Sequence, residues 1–310
     1  MSTVRAEMPS AEAASGPETV STCNVCNSHS IEHIDPECNL CRCGACGYVF
    51  DNPRPNQQEI TAFYSQQGKY DSWLTNAAAR DALWKRRLKM LLRHHAPGNL
   101  LDVGTGIGQF LHHAKPHFTD VAGTEISESA VRIAQERYGL EIQQGRIEEL
   151  LIPDASFDNV TLFHVLEHVP DPARLMRRCH QLLRPGGMTV IAVPNDVLAW
   201  GSGLKKLGKR MGLRAFRKFS RVTGIPKAGT SSEIHLSHFT PVVLRRLLSS
   251  NGFEIVEEGL DPYYAASGVW KLAHGAYYAL HRVMFKLSGA NRYETIWMIA
   301  RKKKDSLKDS

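Results

Sequence analysis

Residues 100–114 read LLDVGTGIGQFLHHA, and this stretch decides the fold. An apolar run reaches Asp102, glycines follow at 104, 106 and 108, and a helical pattern begins near Gln109. Glycine adopts left-handed backbone conformations and lets a ligand approach the main chain closely. The stretch therefore predicts a strand, a tight glycine loop and a helix, with a ligand held at the loop.

The rest of the chain alternates between strand-like and helix-like segments. The strand-like segments are residues 99–103, 120–126, 140–145, 157–165, 188–194, 253–260 and 294–303. The helix-like segments among them begin near residues 109, 127 and 172. Alternation of this kind requires crossover helices on both faces of a parallel sheet. The pattern predicts an α/β fold with a doubly wound sheet.

Two common nucleotide-binding loops do not fit the glycine pattern. The dinucleotide fingerprint G-x-G-x-x-G, counted from Gly104, requires a glycine where the chain has Gln109. A P-loop requires Gly-Lys followed by Ser or Thr, and that tripeptide does not follow. The loop is therefore expected to hold a different cofactor.

The series Asp102-x-Gly104-x-Gly106-x-Gly108 resembles motif I of class I S-adenosylmethionine (SAM)-dependent methyltransferases of the type 11/23 group. The resemblance continues in FDNV at 157–160, LEHVPDP at 166–172 and RPGG at 184–187. It implies a Rossmann-like seven-stranded sheet and SAM as cofactor. The residues that it implies for cofactor binding are Asp102, Gly104, Thr105, Gly106, Gly108, Glu125, Ile126, Arg146, Ile147, Glu148 and His164.

Several of these positions have a specific expected role. Glu125 ends the second strand, where a carboxylate accepts hydrogen bonds from both ribose hydroxyls, and Ile126 beside it would cover the adenine. Arg146 stands where many relatives have an acid that binds the adenine amine, so that contact is expected from backbone or from Glu148.

Candidate catalytic residues follow the fourth strand. His164, Glu167 and His168 have i, i+3 and i+4 spacing, which would place them on one helix face. The pattern H-x-x-E-H resembles the E-x-x-E-H of ubiquinone-pathway O-methyltransferases, which implies a divalent cation at these three residues. In the alternative interpretation, Glu167 and His168 brace the helix and only His164 faces the substrate. His168 and, further along the chain, His235 are candidate bases.

The cysteines predict a zinc module. All but one of the seven cysteines lie between residues 23 and 46, and Cys23-x-x-Cys26 and Cys43-x-x-Cys46 have the spacing of a tetrahedral Zn²⁺ site. Cys38 and Cys41 form a competing pair. With the V-F-x-N-P-R-P-like stretch at 49–55, this zinc-ribbon-like module resembles bacterial methyltransferases acting on sugars or other small metabolites.

The chain carries a net charge of +7 and has no apolar segment long enough to cross a membrane. A cytoplasmic location is expected, with a possible peripheral position at the inner membrane surface. Residues 200–222 are rich in Lys and Arg, without acids, and Trp270, Tyr277 and Leu280 have helical spacing. The predicted organisation is a disordered N-terminus (1–20), the zinc module (21–55), a helical segment (56–98), the methyltransferase domain (99–300) with acceptor-side insertions at 198–230 and 262–290, and a charged tail (301–310).

The sequence thus predicts a SAM-dependent methyltransferase that acts on a small-molecule, sugar or lipid-linked acceptor, most readily at oxygen. Contact of the basic segment with anionic membrane is one expectation for its partners. Two alternatives stay open. An RNA or DNA methyltransferase would use the zinc module and the basic segment, although the module itself is not basic. A non-catalytic SAM-binding regulator would need no catalytic histidines.

Overall fold

The computed structural model describes residues 16–35, 39–66, 69–199, 233–264, 266 and 268–303. Its strands are β1 (Ile31–Asp35), β2 (Leu40–Cys43), β3 (Val49–Asp51), β4 (Asn99–Val103), β5 (Asp120–Glu125), β6 (Ile142–Gln144), β7 (Phe157–Phe163), β8 (Leu183–Pro194), β9 (Ser237–His238), β10 (Phe253–Gly259) and β11 (Thr295–Lys302). Its α-helices are α1 (Gln57–Tyr64), α2 (Asp71–Thr75), α3 (Ala77–Leu91), α4 (Gln109–Ala114), α5 (Glu128–Tyr138), α6 (Pro172–Leu182), α7 (Pro241–Ser250) and α8 (Gly268–Ser288).

Seven strands form one mixed sheet in the order β10-β11-β8-β7-β4-β5-β6. Strands β8, β7, β4, β5 and β6 are parallel, whereas β11 is antiparallel to both β8 and β10. The chain runs outward from β4 to β6 and then returns to β7 on the other side of β4, which makes a topological switch point between β4 and β7. The predicted doubly wound α/β sheet is confirmed.

Helices cover both faces of this sheet. On one face, α3 and α4 pack on the sheet through a core that includes Leu88, Phe110 and Trp297. On the other face, α6 and α7 pack through a core that includes Met176 and Leu244. The helix starts follow from capping side chains followed by proline, since Asp171 and Thr240 accept hydrogen bonds from the first turns of α6 and α7.

Strand β8 begins earlier than the sequence predicts. The sequence predicts a strand over 188–194, after RPGG, but β8 is continuous from Leu183. Its register against β7 shifts between Phe157 and Asn159, so the extra residues form a bulge. Gly186 has a φ of 80°, the left-handed conformation that such an irregularity needs.

A second sheet joins the cysteine-rich segment to the main body. Its order is β1-β2-β3-β9, and β9 pairs antiparallel with β3 through Val49↔His238 and Phe50↔Ser237. The ordered segment begins before residue 21, because Glu18 N donates to Arg54 O at 2.8 Å. Residues 1–15 and 304–310, within the predicted disordered N-terminus and charged tail, lie outside the described residues.

The predicted helix in the 262–290 insertion is confirmed as α8. Tyr277 is half-buried, whereas Trp270 and Leu280 are exposed. Most of the other insertion, and with it most of the basic stretch, falls at residues 200–232 outside the described residues. No described helix is both long enough and apolar enough to span a bilayer.

Candidate active site

The glycine loop after β4 forms one wall of a cavity at the carboxyl ends of the parallel strands. Gly104 and Gly106 have φ values of 66° and 56°, which favour glycine. A Cβ on Gly104 would lie 2.7 Å from Val165 Cγ2, so this position has no room for a side chain. Thr105 N donates to Thr124 O at 3.0 Å, which ties the loop to the end of β5.

Glu125 is the buried carboxylate of this wall. Its Oε2 accepts a hydrogen bond from Gly106 N at 2.8 Å, and its Oε1 accepts one from Ser127 N at 3.0 Å. Burial raises the pKa of Glu125, and the backbone donors oppose that shift by stabilising the anion. Each carboxylate oxygen has further lone pairs, so this side chain fits hydroxyl donors such as a ribose diol.

Most of the predicted cofactor residues border the same cavity. These are Asp102, Gly104, Thr105, Gly106, Glu125, Ile126, Arg146, Ile147, Glu148 and His164. Gly108 lies instead where α4 packs on α5, because a Cβ there would be 2.8 Å from Leu140 Cδ1 and 3.1 Å from Ala134 Cβ. Its role in cofactor binding stays a prediction.

Two of these residues are held by neighbouring side chains. Asp102 accepts a hydrogen bond from Thr161 Oγ1 at 2.6 Å, which braces β4 against β7, and burial raises its pKa to about 7. Arg146 pairs with Glu148 and Glu149, each at 3.0 Å. The basic residue at this position is thus neutralised locally by acids on the following turn.

The segment before β4 completes the cavity with residues that sequence reasoning missed. Tyr70, Trp73 and Arg80 line it, and the Arg80 guanidinium lies 3.8 Å from the centre of the Trp73 ring. Arg80 Nε donates to Gln109 Oε1 at 3.3 Å, and no carboxylate within the described ranges forms an ion pair with it. Burial lowers the pKa of Arg80 to about 10, so it remains a cation at neutral pH. The only sequence signal was an arginine in a helix otherwise interpreted as structural.

His164 follows β7 with a φ of 59° and faces two carboxylates. Its Nδ1 is 3.1 Å from Glu167 Oε1, and its Nε2 is 3.6 Å from Asp261 Oδ2. Burial opposes protonation of this ring, but the two carboxylates outweigh burial and raise its pKa. Glu167 is buried, and its Oε2 has no hydrogen-bond partner among the described residues. A buried oxygen of this kind is available to a ligand.

His168 is the second ring in the cavity wall. Its Nδ1 lies 2.5 Å from Ile234 O and 3.0 Å from Tyr64 Oη. The shorter contact is to a carbonyl, which only accepts, so Nδ1 carries the hydrogen. In the neutral ring, Nε2 is therefore unprotonated, at 3.7 Å from Glu167 Oε1 and 3.8 Å from Glu233 Oε2. Burial lowers the pKa of His168, which favours this neutral form.

His235 lies beside His168, with 5.0 Å between the ring centroids, but it is not part of the cavity lining. Burial opposes its protonation, yet hydrogen bonds to Asp196 and Glu233 raise its pKa to about 10. One ligand atom each from Glu167, His168 and His235 lie within 4.8 Å of one another. Among the described residues, the candidate metal ligands here are therefore Glu167, His168 and His235. His235 takes the place of His164, which the sequence predicts as a ligand.

The four outer cysteines come together as the sequence predicts. The sulfur atoms of Cys23, Cys26, Cys43 and Cys46 lie within 4.8 Å of one another. Tetrahedral Zn–S bonds of about 2.3 Å would place the sulfurs about 3.8 Å apart, so the cluster fits the ion. Cys41 is outside the cluster, with its Sγ 3.3 Å from His33 Nδ1, and Cys38 lies outside the described residues.

Comparison with known proteins defines the class of this fold and site. The family model described as Methyltransferase domain matches residues 75–258 of the chain, which contain the glycine loop, Glu125 and the histidine cluster. The chain therefore belongs to the methyltransferase domain family.

Individual relatives agree with this assignment over parts of their length. A probable S-adenosylmethionine-dependent methyltransferase of Mycolicibacterium smegmatis is 29% identical over 194 residues, covering 61% of this chain and 65% of the relative. A ubiquinone biosynthesis O-methyltransferase of Coxiella burnetii is 34% identical over 102 residues, covering 31% of this chain and 44% of that protein. The matched region thus spans between about half and two thirds of these relatives.

Solved structures share the fold at low sequence identity. A SAM-dependent methyltransferase from Thermotoga maritima, described as a possible histamine N-methyltransferase, aligns with a TM-score of 0.51 and 18% identity, covering 79% of this chain and all of that one. The cyclase SpnF aligns with a TM-score of 0.52 and 18% identity, covering 81% of this chain and 98% of its own. A fold shared by enzymes described as a methyltransferase and as a cyclase does not fix the reaction, which has to be argued from the site.

Proposed function

We propose that this protein transfers a methyl group from SAM to an oxygen nucleophile on a small-molecule, sugar or lipid-linked acceptor. One observation carries the proposal: a single cavity is bordered at the glycine loop by Glu125 and beyond β7 by His164 and His168. SAM supplies an electrophilic methyl group on a sulfonium when bound. The chain's task is to hold the two reactants in line and to exclude water.

The residues around the loop support binding of each polar part of SAM. The Glu125 carboxylate accepts from the ribose hydroxyls while Gly106 N and Ser127 N hold it in place. Arg80, a half-buried cation with no carboxylate partner in the described structure, binds the carboxylate of the methionine moiety. This assignment gives Arg80 a charge partner that the described chain lacks.

His168 is the proposed proton acceptor. Its Nδ1–H is fixed by Ile234 O, and its Nε2 is unprotonated in the neutral ring. The cationic state of His235 makes that ring a poor proton acceptor, although it was an equally good candidate from the sequence. Replacing His168 with Ala should lower kcat by about 10²- to 10⁴-fold and leave SAM affinity unchanged. A matched control is His117→Ala, at an exposed histidine away from the cavity.

A divalent cation is the second role that the acceptor-side cluster supports. Glu167, His168 and, once it has lost its proton, His235 provide one oxygen and two nitrogen ligands within 4.8 Å, and Glu167 Oε2 has no other partner in the described chain. A cation here would lower the pKa of an acceptor hydroxyl in place of a base. Activity that is lost with a chelator and regained with Mg²⁺ or Mn²⁺ would favour the cation; chelator-resistant activity would favour His168 as base.

Zinc in the Cys23, Cys26, Cys43 and Cys46 cluster is proposed to be structural. These cysteines belong to the core that packs on the main sheet, and they are separate from the catalytic cavity. Four thiolates also leave no open coordination position for a substrate. The module is not basic, which favours a small acceptor over RNA or DNA.

Calorimetric titration of the purified protein with SAM and with NAD tests the cofactor assignment. SAM binding without NAD binding supports it, and NAD binding alone contradicts it. Detection of S-adenosylhomocysteine with a panel of hydroxylated acceptors then tests catalysis. SAM binding with no product from any acceptor class, nucleic acids included, would favour a SAM-binding regulator.

A further inference from the structure

Helix α8 presents three chemically different faces. One face packs on the domain, where Tyr277 Oη donates to Glu294 Oε1 at 2.7 Å and Tyr278 Oη donates to Leu260 O at 3.1 Å. His281, one turn after Tyr277, is buried on the same face. These contacts fix how the helix is rotated, and so they fix which side chains point away from the domain.

The second face is apolar and exposed. It carries five aliphatic side chains whose exposure ranges from 54% to 84%, namely Val269, Leu272, Leu280, Val283 and Leu287. Their spacing of three, four or eight residues places them in one stripe along the helix. An exposed stripe of this length on a globular protein marks an interaction surface.

The third face is cationic. Lys271, Arg282 and Lys286 fall on one side of the helix at about 100° per residue, next to the apolar stripe. The sequence of α8 contains no Asp or Glu. Aliphatic side chains beside a row of cations, with no acid on the same helix, are the chemistry of a helix that lies in the interface of an anionic bilayer. We propose that α8 docks this protein on an anionic lipid surface.

A second copy of the chain fits this surface less well. A heptad seam starting at Val269 and Leu272 would continue through Ala276, Ala279, Val283 and Lys286. Two alanines and a lysine make a poor seam, and the cationic faces of two copies would repel each other. A bilayer accepts the whole stripe without a defined partner seam and neutralises the cations.

The position of α8 connects the proposed docking with the catalytic cavity. A second cavity is lined by Arg80 and Tyr263, which also line the main cavity, and by His274 of α8. Docking through α8 would therefore hold this side of the main cavity close to lipid. Such docking favours a lipid-linked acceptor. This conclusion about the acceptor rests on the proposed function, whereas the docking proposal does not rest on it.

Vesicle co-sedimentation of the full-length protein tests the docking without any activity measurement. The probes are vesicles of phosphatidylcholine alone and of phosphatidylcholine with phosphatidylglycerol. We expect binding to the anionic vesicles that decreases with salt. The Leu272→Glu/Leu287→Glu variant should lower this partitioning by about tenfold or more, because each leucine would no longer be buried in lipid. The Lys271→Gln/Lys286→Gln variant should lower it by about fivefold per cation.

The matched control is Leu151→Glu, since Leu151 is fully exposed elsewhere on the surface. Its partitioning should equal that of the wild type. Three outcomes would overturn the proposal: no binding of the wild type to anionic vesicles, unchanged binding of the leucine variant, or equal binding to neutral and anionic vesicles. A wild-type dimer that the leucine variant converts to monomer, without vesicle binding, would assign the stripe to a second copy instead.

Discussion

Arg87 on α3 and Asp261 after β10 form a buried ion pair whose removal should be strongly destabilising. Arg87 Nε is 2.9 Å from Asp261 Oδ1 and Nη2 is 2.5 Å from Oδ2, and both side chains are at most 1% exposed. Replacing Arg87 with Met retains much of the apolar volume but leaves the carboxylate without its cation. Breaking a buried pair from one side costs about 3 to 5 kcal/mol. With about 2 to 4 °C per kcal/mol, the melting temperature should fall by about 6 to 20 °C.

Denaturant unfolding at neutral pH measures this loss against a matched surface pair. Arg42 and Glu32 are 2.9 Å apart, but both side chains are about half exposed. Arg42→Met should therefore change the free energy of unfolding by about 1 kcal/mol at most. If Arg87→Met were no more destabilising than Arg42→Met, the argument from burial would be refuted.

The pH dependence separates charge from packing. Burial raises the pKa of Asp261, but the charge of Arg87 and its hydrogen bonds lower it to about 2. Because this is below the unfolded value of about 3.9, the wild-type pair contributes fully above that value and is lost as pH falls toward 2. Without Arg87, burial raises the pKa of Asp261. Protonation of this carboxylate at low pH then makes the variant less unstable. The stability deficit of Arg87→Met should shrink from pH 7 toward pH 4; a deficit independent of pH would assign it to packing.

Three further predictions concern the ligands. Glu125→Gln should weaken SAM binding by about 1 to 3 kcal/mol in calorimetry through loss of charge-assisted hydrogen bonds, and Glu136→Gln, at an exposed acid on α5, should leave it unchanged. Equal affinities in both variants would argue against ribose binding by Glu125. Cys26→Ser should lower both the bound zinc per chain and the melting temperature, whereas Cys179→Ser, at a buried cysteine in α6, should retain the zinc. Arg80→Met should weaken binding of SAM but not of decarboxylated SAM, by about 1.5 to 3 kcal/mol, and an equal loss for both would contradict a carboxylate contact.

The parts of the fold and site that depend on local sequence were predictable. The glycine loop, Glu125 and the strand-helix alternation are each encoded within a few residues, because they reflect backbone conformation and hydrophobic periodicity. The four clustered cysteines were predictable for the same reason, since both C-x-x-C pairs form within single turns.

The parts that depend on distant segments were not predictable. No local signal indicates that residues 49–51 pair with residues 237–238 in β3 and β9. Asp261 was missed as the partner of Arg87 and neighbour of His164, because its side chain reaches the site only through the packing of α3 on the sheet. Arg80 was missed because one arginine in a helix is ordinarily solvated, and only the closure of the cavity reveals that its side chain is partly buried.

The pairing of β3 with β9 also connects the cysteine module with the candidate active site. Asn24 Nδ2 donates to Pro170 O at 2.7 Å, which attaches the first C-x-x-C turn to the loop after His168. On the other side, β3 holds β9, and the residue before β9, Leu236, donates its N–H to Glu167 O at 2.7 Å. The segment that carries Ile234 and His235 is therefore held between the module and the loop that carries Glu167. Because Ile234 O contacts His168 Nδ1, we expect a rigid module to orient the proposed base.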